Sequence, residues 1–136
     1  MMKTPHEIFE LMYQNDPFSK LLGMKLIEIK EGFCKLQMQV TGNMLNGFGI
    51  AHGGITYSLA DSTLAFASNS RGIQSVSIET SINHLSKVVE GDTLTAISEE
   101  INLTGRTALY LINIINQNNQ SVALFKGIVF RTGKEW

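Results

Sequence analysis

Asp61 is the one aspartate, glutamate, lysine or arginine between Gly42 and Ser70, and it stands in the most apolar segment of the chain. An ionised carboxylate in such surroundings costs several kcal/mol unless partners replace the lost water. Two readings account for it. It is either a structural carboxylate bonded to nearby backbone or to a partner helix, or a reactive one whose stranded position serves chemistry. Sequence physics leaves both open. Directly ahead lies Asn46-Gly47-Phe48-Gly49-Ile50-Ala51-His52-Gly53-Gly54. If a helix opens at that glycine pair, its unpaired N–H groups favour developing negative charge, and the absent side chains let a substrate approach the backbone. The corresponding chemistry is polarisation of a carbonyl oxygen by the Gly53 N–H. A glycine-rich turn that binds nothing has the same residues. The segment has neither the lysine of a phosphate-binding loop nor the preceding strand of a dinucleotide fingerprint.

Gly53 and Asp61 are eight residues apart, about 12 Å along a helix. A nucleophile and a carbonyl-polarising donor must both come within roughly 3–3.5 Å of the reacting group. One copy of the helix cannot supply both, whereas two copies antiparallel about a two-fold axis can. A functional site here therefore requires at least a dimer.

The elements that must hold these residues follow from periodicity. Thr4-Pro5 ahead of Glu7–Met12 predicts a short amphipathic helix ending near Asn15-Asp16-Pro17. Segments 24–31 and 33–40 alternate with period two and meet at Glu31-Gly32, so they form a hairpin. Residues 41–51 are a long loop. The longest helix spans about 53–70, with small and apolar side chains all round it, which predicts burial; Gly72 supplies the stop. Strands follow at about 76–82, 93–103, 109–115 and 121–131, read as an antiparallel meander. One buried helix with about six strands implies an α+β layer arrangement, a sheet wrapped around that helix.

The 136 residues, 43% hydrophobic and 17% charged, suit one domain with an ordinary core. Eleven basic and 12 acidic residues are dispersed without a basic stripe or an acidic tail, so nucleic acid is not expected as a partner. Cys34 has no disulfide partner in the chain and reads as a small buried hydrophobe. The first residues lack the apolar run of a signal peptide, and no segment has the roughly 20 apolar residues that span a bilayer, so a cytoplasmic protein without membrane association is expected.

From about Tyr13 to Thr132 the sequence resembles the PaaI-type hotdog thioesterases of phenylacetate catabolism. The resemblance is carried by Met44-Leu45-Asn46-Gly47, His52-Gly53-Gly54, Ser58-Leu59-Ala60-Asp61 and Ala67-Ser68-Asn69-Ser70, with weaker matches at Glu90–Leu94 and Val122–Gly127. It implies a hotdog fold, hydrolysis of an acyl-CoA thioester, no metal or redox cofactor, and a two-fold dimer with continuous sheets, doubled into a homotetramer. On the matching positions Asp61 becomes nucleophile or general base, the Gly53 N–H polarises the carbonyl, and Asn46 orients the attacking group or the thioester. His52 and Gly54 support the loop, and Ser77 matches a hydroxyl placed near the attacking water in some relatives. Asp61 and Ala65 differ from the glutamate and threonine of the hydroxybenzoyl branch and favour phenylacetyl or similar aryl or medium acyl groups. Ser86-Lys87 replaces an Arg-Pro pair common in close relatives, which leaves Lys87 and Arg106 as candidates for the CoA phosphates. His84 reads as structural, and Tyr57 is a candidate for the acyl pocket. The rival readings are a non-hydrolytic acyl-CoA-binding module, a hotdog dehydratase, and a purely structural dimer.

Overall fold

A computed structural model describes residues 2–136. Helix α1 (Pro5–Gln14) begins as the Thr4-Pro5 pair dictates: Thr4 Oγ1 accepts the Glu7 N–H, and the Glu7 carboxylate accepts the Thr4 N–H in return. Proline opens a second helix as well. Asp16 accepts the Ser19 N–H and Pro17 takes the first turn of α2 (Pro17–Leu21), where the sequence reading placed only a stop. Asp-Pro repeats the cap-then-proline signature of Thr4-Pro5 and here marks a start as well as a stop.

The hairpin forms as expected from β1 (Lys25–Lys30) and β2 (Phe33–Gln39), closed at Gly32 in the left-handed region at φ 73°. A single 3-10 turn (Gly42–Met44) and a bridge between Leu45 and Ala51 organise the long loop. Helix α3 (Gly53–Asn69) follows, and Gly72, at φ 94°, turns the chain into β3 (Ile73–His84). The last strands are β4 (Thr93–Leu103), β5 (Thr107–Ile115) and β6 (Ser121–Glu135).

All six strands lie in one antiparallel sheet ordered β1-β2-β4-β5-β6-β3. The expected four-strand meander is therefore reduced to β4-β5-β6. Strand β3 leaves its sequence neighbour β4, pairs with β6 and becomes an edge, while β2 takes the place beside β4. This is the hotdog architecture that the resemblance implies. The reordering is non-local, and period-two alternation carries no information about which strand pairs with which.

The sheet curls around α3. Leu59, Leu64 and Phe66 are fully buried against Leu36, Leu94, Ile112, Ile114 and Phe125, each contributing about 1.5–3 kcal/mol from apolar burial. Helix α1 closes the open side through Phe9, which meets Phe66 edge-on at 4.8 Å and stacks on Tyr13 at 5.2 Å. The C-terminal end of α3 is tied on three sides. Ser70 Oγ accepts the Gly32 N–H, Asn69 Oδ1 accepts the Ser75 N–H and the Trp136 indole, and Arg71 donates two bonds to Glu100 at 2.7 and 2.8 Å. Glu100 also accepts the Tyr110 hydroxyl; burial pushes its carboxyl up, but these donors outweigh burial and hold it below the ordinary range. Cys34 is a buried residue of β2, and burial pushes its thiol up to about 12, which makes it inert as a nucleophile. Among the described residues no helix is long and apolar enough to cross a membrane.

Candidate active site

The loop ahead of α3 is built by its own polar groups. Asn46 Oδ1 accepts the Phe48 N–H at 2.9 Å and the Ile50 N–H at 3.4 Å, so the carbonyl side of this amide is committed to the turn. Its Nδ2 has no partner among the described residues, and Asn46 lines a cavity of about 440 Å³. At the helix start, His52 is the N-cap and its Nδ1 accepts the Gly54 N–H at 2.9 Å. The Ile55 N–H returns to the His52 carbonyl. Gly53 is left as the first-turn amide with no acceptor among the described residues, and it opens on the same cavity as Asn46. A fixed donor at a positive helix end is suited to a carbonyl oxygen that gains charge.

Asp61 lies two turns further on and does not reach this cavity. It borders a separate one of about 260 Å³ with Met12, Leu64, Ala65, Ser68, Asn69, Ser75, Val76, Ser77 and Val129. Among the described residues its carboxylate accepts no hydrogen bond. Burial of the surroundings raises its carboxyl above the ordinary aspartate value of 3.8, with no cation or donor to oppose the shift. The expected all-round burial of α3 is corrected here. Leu59, Ala60, Thr63 and Leu64 are buried, but Gly54 and Asp61 are exposed and Ser58 and Ala65 half-buried, a stripe at helical spacing on one side of α3 in the single chain.

Ser77 shares the Asp61 cavity from β3, beside a bulge between Ser77 and Glu79 that interrupts pairing with β6. Lys87 reaches the Gly53 cavity because residues 85–92 pass the start of α3, where the Ala51 N–H bonds the Val88 carbonyl. Arg106 does not join it. It sits in the β4–β5 turn, its N–H on Thr104 Oγ1, while Lys87 precedes the opposite end of β4, about 35 Å of strand away. Tyr57 is not in the Asp61 cavity either; its hydroxyl bonds Thr80 Oγ1 and its ring meets Phe125 edge-on, which anchors α3 to the sheet. His84, expected as a structural residue, lies at the Gly53 cavity. It ends β3 and places its ring against Gly53. The 30 residues between them left no local signal.

One chain thus holds two half-sites, Gly53 with Asn46 in one cavity and Asp61 with Ser77 in another. Comparison with known proteins finds relatives over nearly the whole chain. The model of the thioesterase superfamily matches residues 48–123. The acyl-coenzyme A thioesterase PaaI of Escherichia coli K12 is 43% identical over 122 residues, covering 90% of this chain and 87% of that protein. The solved structure of the E. coli PaaI protein from the phenylacetic acid degradation operon superposes with a TM-score of 0.94 at 40% identity, covering 96% of this chain and 95% of that one. The smu.793 protein of Streptococcus mutans, solved bound to acetyl CoA, superposes at 0.80 with 29% identity over 83% of this chain and 91% of its own.

Proposed function

The chain belongs to the thioesterase superfamily, and on that premise we propose that it hydrolyses acyl-CoA thioesters at a site shared by two protomers, Asp61 of one facing the Gly53 N–H of the other. The observation that carries the proposal is the separation just described. The free carboxylate and the free helix-end amide open on different cavities of one chain, yet lie on one side of one helix. A two-fold axis crossing α3 joins each to its complement. The uncovered stripe Gly54-Ser58-Asp61-Ala65 gives the second helix a surface of small side chains to approach.

In this site the thioester oxygen takes the Gly53 N–H, and Asn46 Nδ2, freed by the commitment of its Oδ1, holds the thioester or the attacking group. Asp61 supplies the electron pair, as nucleophile on the carbonyl carbon or as base on a water that Ser77 orients. Its poorly solvated charge makes it more basic than an exposed aspartate, which serves either role. CoA leaves as the thiol, no metal or redox cofactor takes part, and Lys87 lies where a phosphate of CoA could be met. Residues 1–136 act as one thioesterase domain in a homodimer paired into a homotetramer, working in the cytoplasm. The E. coli relative's operon supports phenylacetyl or hydroxyphenylacetyl groups, and Met12, Leu64, Val76 and Val129 give the Asp61 cavity an apolar lining suited to an aryl or medium acyl chain.

The test is free-thiol release from a panel of acyl-CoAs by wild type and by Asp61→Asn. Loss of at least about 10³-fold in kcat with unchanged oligomeric state is expected. Equal rates would remove Asp61 from the chemistry, and tight binding without any hydrolysis by wild type would make the protein an acyl-CoA-binding module.

A further inference from the structure

We propose that His84 recognises the pantetheine arm of CoA, its unprotonated Nε2 accepting the N–H of the first amide beyond the thioester sulfur. The proposal rests on the thioesterase reading above and adds to it a residue that binds the leaving group.

The tautomer follows from a short chain of hydrogen bonds. Thr56 is buried, and its hydroxyl donates its single proton to the Gly53 carbonyl at 3.1 Å. The same Oγ1 lies 3.3 Å from His84 Nδ1. With its proton committed, that oxygen accepts, so Nδ1 carries the proton of the neutral ring and donates it to Thr56. Nε2 is left as a bare lone pair. Its place is set by the start of α3: a Cβ put on Gly53 would sit 3.2 Å from Nε2 and 3.5 Å from Cε1. Among the described residues Thr56 is the one side-chain partner of the ring, and it holds the opposite nitrogen.

The surroundings say what this lone pair can meet. Residues 84–88 form one wall of the cavity that Gly53 and Asn46 also line, and His84 is exposed there. Gly53, Asn46 and Lys87 bring donors to the cavity, and no aspartate or glutamate lines it. Those donors match the oxygens of an acyl-CoA, whereas a bare imidazole nitrogen matches an N–H. A phenylacetyl thioester has no donor in its acyl half. Its first N–H belongs to the amide two carbons beyond the sulfur, about 5 Å from the thioester carbon at bond lengths near 1.5 Å. With the thioester oxygen on the Gly53 N–H and the acyl group in the Asp61 cavity, the arm leaves past His84 toward Lys87. The bond is made to a part of the substrate that does not react, so it holds ground state and transition state alike and belongs in KM rather than kcat.

The test uses two small thioesters. S-phenylacetyl-N-acetylcysteamine keeps the amide, and its isostere carries an ester oxygen in place of that N–H. Wild type should prefer the amide by about 5–20-fold in kcat/KM, carried mainly by KM. His84→Phe, which keeps the ring volume and removes both nitrogens, should bring the two substrates to within about twofold of each other. His84→Gln, which can present a carbonyl oxygen, should recover part of the preference. The tautomer is read separately from the imidazole nitrogen-15 shifts of labelled protein, with the His84 signals assigned by their loss in His84→Phe. Nε2 should show the shift of an unprotonated nitrogen and move to lower frequency when the thioether analogue of phenylacetyl-CoA, a CH2 in place of the carbonyl, is added. A protonated Nε2, or one unmoved by the thioether, overturns the proposal. So does an amide preference that is absent from wild type or survives in His84→Phe. If wild type hydrolyses neither thioester nor phenylacetyl-CoA, the thioesterase reading fails instead, and the Nε2 signal with the thioether still judges His84.

Discussion

His52 and Gly53 divide the amides of the first helical turn between them. The imidazole of His52 takes the Gly54 N–H and so leaves Gly53 as the free donor. That division can be tested without breaking the helix, because proline is tolerated at the first helical position and His52, at ψ 138°, already has the extended backbone that precedes proline. Gly53→Pro removes the N–H, and Gly53→Ala adds the same Cβ against His84 while keeping it. On the proposed role, proline should cost about 10²–10³ in kcat beyond the alanine variant, measured by thiol release. Asp61 has a separate signature. Its folded-state carboxyl is raised above the ordinary value, so the protonated form is the one folding prefers. Below the ordinary value both folded and unfolded chains are protonated and the group is neutral toward stability. As pH rises through the raised value, the folded chain must carry a poorly solvated charge and loses stability. Asp61→Asn should therefore raise Tm at pH 7 and leave it unchanged near pH 3, read by thermal melts at the two pH values.

At the scale of elements, one contact of α3 with the sheet is especially close. Gly127 on β6 leaves a gap that Leu64 fills: a Cβ there would lie 2.5 Å from Leu64 Cδ2 and 3.1 Å from Cδ1. Leu64 is buried and has little room to move aside. Gly127→Ala should cost about 1–3 kcal/mol by overpacking, and Leu64→Ala about 2–5 kcal/mol by cavity formation. The double variant should be more stable than the sum of the two changes predicts, since each relieves the defect of the other, as urea unfolding of all four proteins would show. The elements themselves were largely legible. The Thr4-Pro5 start, the Glu31-Gly32 hairpin, the helix opened by the glycine pair and the strand at 93–103 all depend on local caps, turns and periods. Helix α2 was missed although Asp16-Pro17 announces it, because a proline after a helix reads equally as an ending.

At the scale of the molecule, β3 is a sheet edge that pairs on one side only and carries Val76 and Ile78 exposed by 57% and 60%. Exposed apolar residues on an open edge suit pairing with another copy, which is the assembly the proposed shared site requires. Complementation decides it. Asp61→Asn and Asn46→Ala chains, each inactive alone, form mixed dimers on co-expression. If Asp61 of one chain serves Asn46 and Gly53 of the other, one site in each mixed dimer is intact, and about a quarter of wild-type activity should return under random pairing. If each site is built within one chain, none should return.

By itself the sequence determined the type of nearly every element, singled out Asp61 and the Gly53 amide, and, through a helix rise of 1.5 Å per residue, required a second chain if both are to serve one site. These are local or one-dimensional properties. Tertiary structure decided the rest: the move of β3 to the far edge beside β6, the distance between Arg106 and Lys87, and the contact of His84 with Gly53. Each depends on which distant segments the closing sheet brings together. That choice is made by packing around the whole helix and leaves no mark in the spacing of any one segment.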